Sequence, residues 1–140
     1  MLECLILGDS IAQGIANHRP ECVEYAHVGW NSQRFNRRYN TTQLDANTVV
    51  ISLGTNDNGN IDTYEQLSVL RSRIDARRVI WIMPSAINPR SGANLSIIQS
   101  SIRGIARANG DSILTIPRPM ADRYHPAGLG YKNLADRTRR

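Results

Sequence analysis

Short apolar runs alternate along the chain with segments of a longer hydrophobic period. LECLIL (2–7), TVVISL (48–53) and RVIWIM (78–83) are continuous, as expected of strands covered on both faces of a sheet. CVEYAHV (22–28) alternates, the pattern of a strand with one wet face, as at a sheet edge. SILTI (112–116) closes the series, and Pro84 and Pro117 stop the last two runs.

The intervening segments read as helices. Tyr64, Leu67, Leu70 and Ile74 recur every three or four residues, and so do Leu95, Ile98, Ile102 and Ile105; both stripes are those of amphipathic helices. Thr63 with Gln66, or Asp62 with Glu65, offers a capping box for the first. Gly110 stands where a helix end favours a left-handed residue. Segments 11–18, 32–39 and 127–137 complete the set. Strand and helix in strict alternation predict an α/β fold, with crossover connections, a mainly parallel sheet and helices on both faces. With no repeat, low-complexity tract or long linker, residues 1–140 read as one domain with a short basic tail at 137–140.

Composition narrows the class. At 140 residues, 41% hydrophobic and 21% charged, the chain suits a globular domain and not a disordered one. Three of its net five positive charges lie in Arg137, Arg139 and Arg140, a solvated end or a weak attraction to an anionic polymer. Cys4 and Cys22 read as buried thiols in strands, with a disulfide left open and no metal-binding spacing. MLECLILGDS is too short and too acidic for a signal peptide, and no apolar run approaches a membrane span. A cytoplasmic protein without membrane insertion is the expectation, with non-classical export left open.

In an open parallel sheet, ligands bind beyond the carboxyl ends of the strands. Gly8-Asp9-Ser10 follows the first run, Gly29-Trp30-Asn31 the second and Gly54-Thr55-Asn56-Asp57 the third; Asp122 to Pro126 follows the fifth at a short distance. Those loops carry the parts for acyl transfer. Ser10 is a nucleophile once a base takes its proton. His125 is the histidine in a place to do so, and Asp122, three residues earlier, can orient it. The Ser10 and Gly29 backbone N–H groups and the Asn56 amide are candidate oxyanion donors. Asp9 and Asp57 read as loop-holding residues, and His18 and His27 as structural. Trp30 and Asn31 divide between packing and substrate contact. Asn88 and Arg90, after the fourth strand, are candidate substrate contacts. No Walker lysine follows Gly8, and residues 8–14 lack the dinucleotide-binding glycine pattern.

GDS (8–10), Gly29, GTND (54–57) and DRYHP (122–126) resemble, in order, the four sequence blocks of the SGNH or GDSL-type hydrolases. The resemblance spans nearly the whole chain. It implies a three-layer α/β/α sandwich on a five-stranded parallel sheet of flavodoxin-like order 2-1-3-4-5. It also implies ester hydrolysis through an acyl-enzyme, with no metal or organic cofactor. In that scheme Ser10 is nucleophile and oxyanion donor, Gly29 and Asn56 complete the oxyanion hole, His125 is the base and Asp122 orients it. Two positions depart from the family. Ile11 replaces the commoner leucine, and Arg123 stands between acid and histidine where a small residue is usual, which makes Arg123 a further candidate substrate contact.

The expectation is therefore a serine esterase for a small acyl group, acetyl above all, on a carbohydrate or similar polar substrate. A lysophospholipase or thioesterase of the same fold is the alternative, as is a non-catalytic module for glycan or nucleic acid. The partner expected is a small-molecule or glycan ester, not nucleic acid; oligomeric state is left open.

Overall fold

A computed structural model describes residues 1–117, 119, 125–127 and 129–140. In chain order the elements are β1 (Leu2–Gly8), α1 (Ser10–Ala16), β2 (Val23–Ala26), α2 (Ser32–Arg38), β3 (Ala46–Ser52), α3 (Thr63–Ser72), β4 (Ala76–Met83), α4 (Leu95–Asn109), β5 (Ser112–Thr115) and α5 (Gly130–Thr138). The strands form one sheet of order β2-β1-β3-β4-β5, every neighbouring pair parallel. That is the α/β topology expected. Among the described residues, no helix is long and apolar enough to cross a membrane.

The period of two along each strand divides the core in two. Leu5 and Leu7, Val49 and Ile51, and Val79 and Trp81 pack against Phe35 of α2, Leu67 and Leu70 of α3, and Ile98, Ile102 and Ile105 of α4. Their alternates Ile6, Val50, Ile80 and Ile82 pack against Ile11 and Ile15 of α1 and Leu134 of α5. The continuous apolar runs are continuous because both faces are covered. Buried Trp81 satisfies its indole by donating from Nε1 to Asp111 Oδ2 at 3.0 Å, a carboxylate that also takes a two-point fork from Arg71 of α3 at 2.8 and 3.0 Å.

Several expectations need correction. Cys4 and Cys22 are not free thiols: they form a disulfide with Cα atoms 4.8 Å apart. Pairing of Leu5 with Val23 in the β1–β2 ladder sets the two cysteines side by side, with Cys22 just before the strand. Tyr64 is 57% exposed, because the buried stripe of α3 runs through Thr63, Leu67 and Leu70. Of the two caps the sequence offers for α3, Asp62 is the one used, its Oδ1 accepting from the Glu65 N–H at 3.0 Å. Helix α5 begins at Gly130, three residues later than the pattern indicates. Gly110 does end α4 in the left-handed conformation, with φ of 71°.

Candidate active site

The rim is built from the end of β1 outward. Gly8 lies in register with Ala26 of β2 and Ser52 of β3, so the three strands finish level. Its φ is +141°, and a Cβ there would lie 1.9 Å from the Ser52 carbonyl oxygen; only glycine fits so close an approach. Immediately beyond, the Asp9 N–H donates to that same carbonyl at 3.1 Å, and the His27 N–H donates to the Gly8 carbonyl at 2.9 Å.

Asp9 starts α1. Its Oδ1 accepts from the Ile11 and Ala12 N–H groups at 3.0 and 3.4 Å and from the Ser52 hydroxyl at 3.1 Å. Its Oδ2 is buried with no hydrogen-bond partner among the described residues. Burial pushes the carboxyl up to about 6, against the opposing pull of the hydrogen bonds from Ala12, Ser52 and Ile11. The cap leaves Ser10 as the first helical residue, a position whose N–H has no acceptor within the helix.

The Ser10 hydroxyl lies 2.7 Å from His125 Nε2 across 115 residues of sequence. The distance is that of a strong O–H···N hydrogen bond, and the hydroxyl donates when Nε2 is the unprotonated nitrogen. Asp122 and Arg123, the candidate partner of His125 and candidate substrate contact, lie outside the described residues.

Gly29 and Asn56 come from the two neighbouring loops. Gly29 adopts φ of +79°, and the space around its α-carbon is open, with no atom within 4 Å of a notional Cβ. The Asn56 amide donates to the Trp30 carbonyl at 3.2 Å, which ties the loop after β3 to the residue following Gly29. Asp57 secures the same junction from beneath. Fully buried, it accepts from the Ser32 N–H at 2.8 Å, the Ser32 hydroxyl at 2.7 Å and the Thr63 hydroxyl at 2.6 Å. Ser32 and Thr63 are positions that sequence alone does not single out, since a hydroxyl near a helix start reads only as a cap.

The remaining candidates fall elsewhere. Asn88 and Arg90 are exposed, and the Asn88 side chain accepts from the Arg90 N–H at 3.0 Å, a local turn contact. His18 is exposed at the end of α1, its carbonyl accepting from Arg139 at 2.9 Å. His27 is stacked on Trp30 with ring centroids 3.8 Å apart, and its Nε2 is hydrogen-bonded to the Tyr39 hydroxyl. Burial first, then the Arg38 and Arg34 charges, hold His27 below the usual histidine range. Among the described residues, no group of three or more His, Cys, Asp or Glu could hold a metal ion.

No protein-family model matches the sequence, and no curated protein matches it. Solved structures do. A member of the lipolytic G-D-S-L family from Veillonella parvula superposes with a TM-score of 0.67 at 15% identity, over 97% of this chain and 95% of its own. A carbohydrate acetylesterase from Sinorhizobium meliloti gives 0.66 at 13% identity, over 99% of both chains. The C-terminal catalytic domain of a peptidoglycan O-acetyltransferase from Streptococcus pneumoniae gives 0.66 at 17% identity, over 96% of this chain and 88% of its own. At such identities the likeness is one of architecture, and in that architecture the chain has the fold of the SGNH (GDSL-type) hydrolases.

Proposed function

We propose that the protein is a serine esterase that removes a small acyl group, acetyl above all, from a carbohydrate or similar polar alcohol. The single observation that carries the reading is the 2.7 Å contact between the Ser10 hydroxyl and His125 Nε2, at the rim where the Gly29 and Asn56 loops meet. Ser10 Oγ attacks the acyl carbonyl carbon while its proton passes to His125. The carbonyl oxygen becomes an oxyanion, received by the Ser10 and Gly29 N–H groups and the Asn56 amide. The ester C–O bond breaks, and His125 returns the proton to the departing alkoxide. Water then attacks the acyl-serine, His125 takes its proton, and that proton goes to Ser10 Oγ as the carboxylic acid leaves. Asp122 orients the imidazole in this scheme.

A carbohydrate acetylesterase and a peptidoglycan O-acetyltransferase are among the structures that share the fold, which supports reading the acyl group as acetyl on a glycan. The Cys4–Cys22 disulfide favours an oxidising working environment over the cytoplasm.

The test is p-nitrophenyl acetate hydrolysis by the parent, Ser10→Ala and His125→Ala. Each variant is expected to lose on the order of 10³-fold or more in kcat; equal rates in parent and Ser10→Ala sink the reading. Asn56→Ala should cost roughly 10²–10³ in kcat with little change in KM. A preference for acyl chains longer than about eight carbons overturns the small-acyl part alone.

A further inference from the structure

Helix α2 opens three residues after Gly29 and carries Arg34, Arg37 and Arg38. Spacings of three and four put all three on one helical face, and all three are exposed. The helix, SQRFNRR, contains no acid. Among the described residues none of the three pairs with a carboxylate, whereas Arg19, Arg71 and Arg139 engage Glu21, Asp111 and Asp136. Arg73 and Arg78 donate instead to backbone carbonyls, and among the described residues the three on this face have neither kind of partner.

Arg37 and Arg38 lie in the last turn of α2, where the helix dipole favours cations. Arg34 lies in the first turn, where the dipole disfavours one. Arg34 is nevertheless held in place, its guanidinium 4.5 Å from the Trp30 ring centroid, while His27 stacks on the same ring. Arg38 lies 5.0 Å from the Tyr39 ring. The aromatic cluster therefore holds Arg34 against Trp30, the residue after Gly29 whose carbonyl receives the Asn56 amide, and Arg38 against Tyr39 of the same cluster.

We propose that Arg34, Arg37 and Arg38, with Arg34 ordered on Trp30, form a subsite for a carboxylate on the sugar whose ester is cleaved, so that the substrate is an acylated anionic glycan. The proposal rests on the esterase reading above. A guanidinium matches a carboxylate with two parallel N–H···O bonds, and a sugar acid esterified on a ring hydroxyl presents its carboxylate a few bonds from the scissile carbonyl. A nucleic acid fits less well. Single strands rely on bare aromatic faces for base stacking, and the Trp30 ring is already taken by His27 and Arg34.

The experiment compares kcat/KM for O-acetyl glucuronic acid and O-acetyl glucuronamide, which differ in charge at one position. The parent should prefer the acid about five- to tenfold at low ionic strength, and added salt should erase much of the preference, since exposed charges are screened over about 10 Å at 0.1 M. Arg34→Gln and the Arg37→Gln/Arg38→Gln pair should bring the ratio toward one through KM, while Arg103→Gln on the exposed side of α4 should keep the parent ratio. Equal kcat/KM for acid and amide in the parent, or an undiminished ratio in the α2 variants, overturns the proposal. So does competitive inhibition of the parent by a short oligonucleotide at lower concentration than trigalacturonate. Should the parent hydrolyse no ester at all, the esterase reading fails separately. Calorimetric titration of Ser10→Ala with trigalacturonate then decides the subsite, with binding lost on Arg34→Gln supporting it and no binding overturning it.

Discussion

Replacing Asp9 by asparagine tests how the helix that opens at Ser10 is anchored. The carboxyl has an ordinary value of 3.8 and is raised to about 6 by burial. The folded state therefore holds the proton more tightly than the unfolded chain does. Stability from this group is fully present below about pH 4 and is lost as pH rises through about 6. A shift of about two units corresponds to about 3 kcal/mol, a large share of the roughly 5–15 kcal/mol that holds a domain together. Asparagine keeps an Oδ1 acceptor for the Ile11 and Ala12 N–H groups and the Ser52 hydroxyl but carries no charge. Its amide would occupy the place of Oδ2, which is buried without a partner, at a cost of about 1–3 kcal/mol. The absolute stability of Asp9→Asn is thus a mixture of two effects, and the pH slope isolates one. Urea unfolding at about pH 4 and about pH 8 should show the variant gaining on the parent by about 3 kcal/mol between the two. Identical pH dependence in parent and variant would refute the reasoning, because it would mean that burial does not penalise this charge.

Two further outcomes follow from the packing. A Cβ at Gly14 would lie 2.2 Å from the Tyr131 ring, so Gly14→Ala must shift the Tyr131 side chain and with it the seam between α1 and α5. It should lower p-nitrophenyl acetate turnover despite the roughly 1 kcal/mol that alanine gains in helix propensity, and Gly14→Ala/Tyr131→Ala should recover much of the loss. Reducing the Cys4–Cys22 disulfide, which closes a separation of 18 residues, should lower stability by about 3 kcal/mol by denaturant titration.

The sheet was legible because burial on both faces writes itself as unbroken apolar runs, and β1, β3 and β4 are such runs. Crossovers predict parallel neighbours, while the strand order came only from the resemblance carried by the four loop motifs. What depends on register was not legible. Cys4 and Cys22 pair because Leu5 aligns with Val23, an alignment that either cysteine's spacing leaves open. Tyr64 sits on the helical stripe by spacing yet faces water, since a stripe one residue over meets the sheet. The candidate residues could be named by type: Ser10, Gly29 and Asn56 each come within four residues of a strand end, and His125 ten residues beyond β5. The supports beneath them could not. Asp57 bonded to Ser32 and Thr63, and Arg34 lying over Trp30, depend on loops meeting in space, and each of those residues has an ordinary local explanation.

The contact between Ser10 and His125 spans 115 residues, from the first crossover to the segment leading into the last helix. If that contact carries the proposed esterase chemistry, turnover is a reporter of completion: a nascent chain, or one nicked between the two sites with its tail released, is chemically silent however well its central sheet has formed. On that reading, loss of activity in mild denaturant should precede loss of the sheet, because Ser10 and His125 come from terminal regions that must stay docked for the two side chains to meet.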